Sequence, residues 1–203
     1  MEKNRLEAFS DGVLAIIITI MVLELKVPHG VGLEALKSVG SVFLGYVLSF
    51  IYVGIYWNNH HHLFHSTRRV TGAILWANLN LLFWLSLFPF ATAWVGENRL
   101  APVPTAIYGC VLLLAALAYY ILQSCIIAQQ GPNSLLAAAI GRDLKGKVSL
   151  ALYLVSIAVA CWHPWMATTL HVLVALIWLV PDRRIEKALH PRTDPGGQAG
   201  HES

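Results

Sequence analysis

A chain of 203 residues that is 57% hydrophobic and only 12% charged departs from soluble domains, where about a quarter of residues carry charge, and this argues against a water-soluble globule. The net charge of +3 needs no nucleic acid as a partner, and Cys110, Cys125 and Cys161 stand at spacings that suggest no disulfide framework and say nothing about redox compartment. Apolar runs separated by short breaks holding nearly all the charge predict six membrane spans, at 8–26, 38–58, 70–95, 104–128, 148–162 and 165–181.

The first span follows Arg-x-x-x-Phe-Ser-Asp-Gly. Its apolar part, Val13 to Leu23 broken only by Thr19, is about 16 Å long as a helix, against a hydrocarbon core of about 30 Å. A spanning helix must therefore take Ser10, Asp11 and Glu24 to the membrane boundary or inside it, where an ionisable group faces protein or water and marks a candidate functional site. At about 100° per residue, Ile16, Thr19, Ile20 and Leu23 share an arc of about 100°, and Asp11 points about 130° from its centre. One face can thus line something while the other is tied by polar contacts to neighbouring helices. From spacing alone the reading to prefer is a helix cap at Ser10 or Asp11 with ordinary packing of the apolar stripe. A cleavable signal peptide competes for the same segment, but Glu2, Glu7 and Asp11 are acidic where a signal is basic, and Leu25 to Pro28 is no small-residue cleavage site.

The second span runs into "YWNNHHHLFH". His61 and His65, four apart, could share a metal on a helix, but no nearby Cys or carboxylate completes a ligand set, so no metal site is assigned. One histidine of the group His60, His61, His62 and His65 is expected to bond Asp11 or Ser10 across a helix interface, which would make the contact pH-responsive. In the third span Asn78 and Asn80 read as hydrogen-bonding links between helices, and Pro89 as a kink. "SLLAAAI", between the fourth and fifth spans, suits a short helix on the membrane surface. The last two spans are joined only by Cys161-Trp162-His163-Pro164-Trp165, which allows only a tight helical hairpin with Pro164 stopping the helix. Residues 1–189 thus form one membrane domain, and the Pro- and Gly-rich tail 190–203 reads as disordered.

Orientation follows from charge. With a cytoplasmic N-terminus only Lys26, Lys37 and Arg99 face out, which leaves eleven of the 14 Lys and Arg residues inside, the asymmetry of the positive-inside rule. Both termini are then cytoplasmic. Trp94, Trp162 and Trp165 fall at outer ends of spans, and Trp57 and Trp178 near inner ends, as interfacial aromatic belts do.

Arg5, Phe9, Ser10 and Asp11, in the form R-x-x-x-F-S-D followed by "GVLAIIITIMVLELKVP", resemble the first helix of the transmembrane protein 175 family of potassium channels in its bacterial single-repeat form. The likeness is strongest over Arg5 to Pro28, with weaker support from "YWNNHHHLFH" and "LFPFAT". The resemblance implies an all-α, six-span, multi-pass protein of the cell (inner) membrane. It implies a homotetramer in the lipid bilayer whose four first helices surround a path for permeant K+, with no cofactor and no enzymatic activity. By position, Ile16 would form a narrow hydrophobic ring, Thr19, Ile20 and Leu23 would line the path beyond it, and Arg5, Phe9, Ser10 and Asp11 would hold the pore helix against its neighbours. Family members lack the usual filter loop, and no T-V-G-Y-G occurs here.

A ring of Ile side chains closes a pore by contact and dewetting. Thr19 hydroxyls would offer oxygens to a partly dehydrated cation, Glu24 would raise local cation concentration, and so few fixed oxygens would prefer potassium over sodium only moderately. The alternative is a proton- or cation-coupled transporter that uses Asp11, Glu24 and the histidines as a relay, although the repeated halves and broken midplane helices common in such proteins are not seen. A haem protein would need histidines at one depth, and His163 and His171 are not level with the His60 group. A hydrolase lacks both H-E-x-x-H and G-x-S-x-G.

Overall fold

The computed structural model describes residues 2–67, 69–131, 134, 137 and 143–179, and among these the ordered elements are all α-helical. In chain order they are α1 (Lys3–Leu23), α2 (Leu33–Ser38), α3 (Gly40–His65), α4 (Gly72–Ser86), α5 (Phe88–Glu97), α6 (Pro102–Gln130), α7 (Leu144–Ala160) and α8 (Pro164–Leu179). The six expected spans correspond to α1, α3, α4 with α5, α6, α7 and α8. Four segments, Lys3–Leu23, Gly40–His65, Gly72–Glu97 and Pro102–Gln130, are long and apolar enough to cross a membrane, while α7 and α8 have 17 and 16 residues. The expected surface helix and the tail after Leu189 lie outside the described residues, apart from Ser134 and Ala137.

Several boundaries differ from the sequence expectation for local physical reasons. Helix α1 starts at Lys3 rather than residue 8, because nothing from Asn4 to Phe9 breaks a helix. It ends at Leu23, where Glu24 serves as C-cap. At 21 residues it reaches about 31 Å, enough for the hydrocarbon core. Ser10 and Asp11 therefore lie in the second and third turns, and the N-cap position belongs to Glu2, which removes the capping reading. Helix α3 continues past residue 58 to His65, so all four clustered histidines are helical.

Pro89 breaks the third span as expected. It stands in the first turn of α5, where its missing N–H costs nothing, and α4 stops at Ser86. Pro164 does not stop α7, which ends four residues earlier at Ala160; it opens α8, and the turn is closed by His163 N–H donating to Val159 O at 2.8 Å.

In a bilayer, burying an apolar side chain in protein gains little over leaving it in lipid, so dense packing and hydrogen bonds between helices hold the bundle together. Helices α3 to α8 form its body, with α6 packed on α4, α5, α7 and α8. Tyr52 and Tyr56 of α3 meet Phe88 of α5 edge-on, with centroids 6.4 and 6.3 Å apart. Ser49 shares hydrogen bonds with Thr92 at 2.6 Å and Tyr108 at 2.9 Å, Tyr52 donates to His171 O at 2.6 Å, and Ser156 meets His171 Nε2 at 2.9 Å. These contacts knit α3, α5, α6, α7 and α8 into one unit. Helix α1 lies on the side of that unit, against α3, α4 and α5.

Candidate functional site

The two faces of α1 have different surroundings. Leu6, Ser10, Leu14, Ile17 and Met21, spaced by three and four residues, are buried against the bundle. Ile16, Thr19, Ile20 and Leu23 are turned about 130° away, and Ile16, Ile20 and Leu23 are 59%, 42% and 75% exposed. Thr19 Oγ1 donates to Ala15 O at 2.8 Å, which points its hydrogen back along the helix and leaves oxygen lone pairs outward. Gly12 lies on this open side too, where an added Cβ would meet nothing within 4 Å.

The buried face is fixed by a short chain of hydrogen bonds. Asn78 of α4 donates through Nδ2 to Ser10 Oγ at 2.9 Å, and its Oδ1 lies 2.7 Å from His60 Nε2 of α3. With the amide donating to Ser10, its oxygen can only accept, so Nε2 carries the His60 proton. Ser10 in turn donates to Leu6 O at 2.9 Å. Ser10 and Asn78 are fully buried and His60 is 2% exposed, so in this chain each donor that can be assigned has an acceptor, as buried polar groups require. His60 also lies against Phe64, with ring centroids 4.5 Å apart.

Asp11 sits on the flank between the two faces and accepts from Trp57 Nε1 at 3.1 Å. The expected bond between a histidine and Ser10 or Asp11 is thus replaced by two contacts: Asn78 stands between His60 and Ser10, and Trp57 takes Asp11. The reason is the rotation of α3, which turns Trp57 and His60, three residues apart, toward the α1 and α4 side. Asn78 acts as the expected interhelical link, whereas Asn80 is exposed. Arg5 and Phe9 lie in the same arc as Ile16, and Phe9 is 50% exposed. Within the chain, then, Ser10 and Asp11 hold α1, and Arg5 and Phe9 face outward from it.

Further contacts fix the ends of α1. Lys3 Nζ donates to His65 O at 3.3 Å, and Gln130 Nε2 to Ser66 O at 2.8 Å, which sets the start of α1 and the ends of α3 and α6 at one level. At the opposite end Lys26 pairs with Glu97 just past Trp94. The hydrogen bond and charge of Glu97 raise the Lys26 pKa above its ordinary value. Among the described residues no group of three or more His, Cys, Asp or Glu could hold a metal ion.

A family model described as "Endosomal/lysosomal potassium channel TMEM175" matches residues 5–89 of the chain, the stretch that holds α1, the histidine cluster and Asn78. A potassium channel of Chryseobacterium sp. is 57% identical over 189 residues, covering 93% of this chain and 98% of that protein. The human endosomal/lysosomal proton channel TMEM175 is 37% identical over 103 residues, 45% of this chain and 20% of that protein. The crystal structure of a lysosomal potassium-selective channel TMEM175 homolog from Chamaesiphon minutus superposes with a TM-score of 0.79 at 29% identity, covering 89% of this chain and 98% of that one.

Proposed function

The chain belongs to the TMEM175 family, an ion-channel and not an enzyme family, and from that premise we propose that it is a potassium channel of the cell membrane in which four copies surround one ion path with their α1 helices. The observation that carries this reading is the division of α1 into a face pinned by Ser10 and Asp11 and an open face of Ile16, Thr19, Ile20 and Leu23. A stripe of β-branched and Leu side chains left unpacked by its own protomer fits a lining shared among copies. Ile16 is the constriction, closed by contact and dewetting. Thr19 supplies oxygens to the ion just beyond it, and Ile20 and Leu23 continue the lining toward the end where Glu24 raises cation concentration. Arg5 and Phe9 support the pore helix from the neighbouring copy, since their own protomer leaves them outward.

Residues 1–189 constitute the channel domain. The end that carries Lys3, Arg69, Lys145 and Lys147 is cytoplasmic, and the end with Lys26, Lys37 and Arg99 faces out. Permeation prefers potassium moderately, because no carbonyl filter replaces the whole hydration shell.

The test is potassium flux through liposomes containing the purified protein under a potassium gradient, with protein-free liposomes as control. Flux that Ile16→Asn increases supports the reading, and flux unchanged by that substitution removes Ile16 as the constriction. Because the human relative is named a proton channel, a pH-sensitive dye inside the same liposomes follows protons. Proton movement strictly coupled to potassium would favour a transporter instead.

A further inference from the structure

On the far side of α3 from the pore helix, a cavity of about 270 Å³ lies between α3, α6, α7 and Trp178 of α8. Tyr52, Tyr56, Tyr119, Tyr120, Tyr153 and Trp178 give it aromatic walls. Among the buried and half-buried polar side chains of the lining, the hydroxyl of Tyr56 and the amides of Asn59 and Gln123 make no side-chain hydrogen bond to the described residues. Gln123 is only 7% exposed and lines the cavity, so its amide is reached from the cavity and hardly from elsewhere. The neighbouring hydroxyls are already committed: Tyr52 donates to His171 O, Tyr153 to Tyr52, and Tyr119 to Asn59 O.

We infer that this cavity is a binding site for a small neutral aromatic molecule carrying both a hydrogen-bond donor and an acceptor. Size sets the first bound. An apolar cavity of about 150 Å³ admits one benzene, so about 270 Å³ admits two fused rings. Charge sets the second. The ionisable acid and base in the lining, Asp143 and Lys147, are of opposite sign and stand at the start of α7, while the wall around Tyr56 and Gln123 carries no formal charge. A charged ligand would lose its hydration there without a counter-ion. Tyrosine rings offer stacking partners, and Gln123 and Tyr56 each offer a donor and an acceptor. Of the lining residues, Tyr120, which is 52% exposed, and Lys147 reach the protein surface.

The position gives such a ligand a route to the pore helix. Helix α3 presents Tyr52, Tyr56 and Asn59 to the cavity, and Trp57 and His60 to Asp11 and Asn78. An occupant therefore presses on the helix that holds α1. Modulation of ion flux by this route rests on the channel reading above, whereas the binding does not.

The experiment uses the full chain in lipid nanodiscs, 5-hydroxyindole as probe, and saturation-transfer NMR, with protein-free nanodiscs as control. Saturable binding is expected, weakened about tenfold or more by Gln123→Leu and abolished by Ala116→Leu, which fills the cavity. Gln123→Leu without probe is expected to keep or raise the melting temperature, because the amide has no hydrogen bond within the described residues to lose. The proposal is overturned if wild type binds no more than the protein-free control, or if both variants bind as wild type does. A clear fall in melting temperature for Gln123→Leu would overturn it as well, since the amide would then serve the fold. Loss of flux with binding intact would count against the channel reading alone.

Discussion

Replacing Asn78 by Leu removes both hydrogen bonds of the link between α3 and α1, the one at 2.7 Å with His60 and the one at 2.9 Å to Ser10. Hydrogen bonds between membrane helices contribute about 0.6 kcal/mol each on average. Leaving a buried donor without an acceptor costs a further 1–3 kcal/mol, roughly. Ser10 keeps Leu6 O as its acceptor, so His60 Nε2–H is the one donor orphaned, and the expected loss is about 2–4 kcal/mol. His60→Leu orphans the Asn78 oxygen instead and costs about 1–3 kcal/mol. With both replaced, neither partner is stranded, and the double variant should fall short of the sum of the single losses by about 1 kcal/mol or more. The assay is unfolding of purified protein in mixed micelles titrated with sodium dodecyl sulfate and followed by near-UV circular dichroism. Losses that add within about 0.5 kcal/mol would refute the claim that His60, Asn78 and Ser10 act as one unit.

Glycines give a paired prediction. A Cβ on Gly96 would stand 2.8 Å from Val42 Cα, a backbone atom that cannot move aside alone, so Gly96→Ala should lower stability by about 1–3 kcal/mol in the same assay. Gly12→Ala meets nothing within the chain and gains about 1 kcal/mol of helix propensity; stability should hold or rise while potassium flux changes, and an unchanged flux would place Gly12 away from the ion path. For Lys26 the sign follows from its raised pKa: the charged pair with Glu97 favours the folded state at neutral pH, and on the alkaline side is lost as pH climbs past the ordinary 10.5 through the higher folded value. Lys26→Met should therefore erase any difference in melting temperature between pH 9 and pH 11 that arises at this contact, roughly bracketing the lysine reference value; a difference that persists would locate it elsewhere.

Much of the site was legible in sequence because covalent spacing alone decides it. The shortness of the apolar run placed Ser10 and Asp11 within the span, and the helical period set Ile16, Thr19, Ile20 and Leu23 apart from them. An Asn in an apolar span seeks a partner and a Pro breaks the helix, which made Asn78 and Pro89 readable before any fold was known, although the same rule pointed equally to Asn80, which is exposed. The choice of His60 among four histidines was not readable, nor the capture of Asp11 by Trp57. In a soluble helix the polar face points to water and reveals which side is buried. In α3 the lipid-facing side is as apolar as the packed side, so the pattern carries no information about rotation.

The sequence by itself determined that the chain lives in a bilayer, where its helices lie, and which stripe of the first helix stands apart from its polar residues, because length, hydropathy and a period of 3.6 residues are local properties. Only the tertiary structure decided that Asn78 bridges His60 to Ser10, that α1 leaves its stripe uncovered, and that α3, α6, α7 and α8 line a cavity that includes Gln123. Those features depend on how helices that are apolar on every side rotate against one another, and that rotation is set by the fit of many side chains at once.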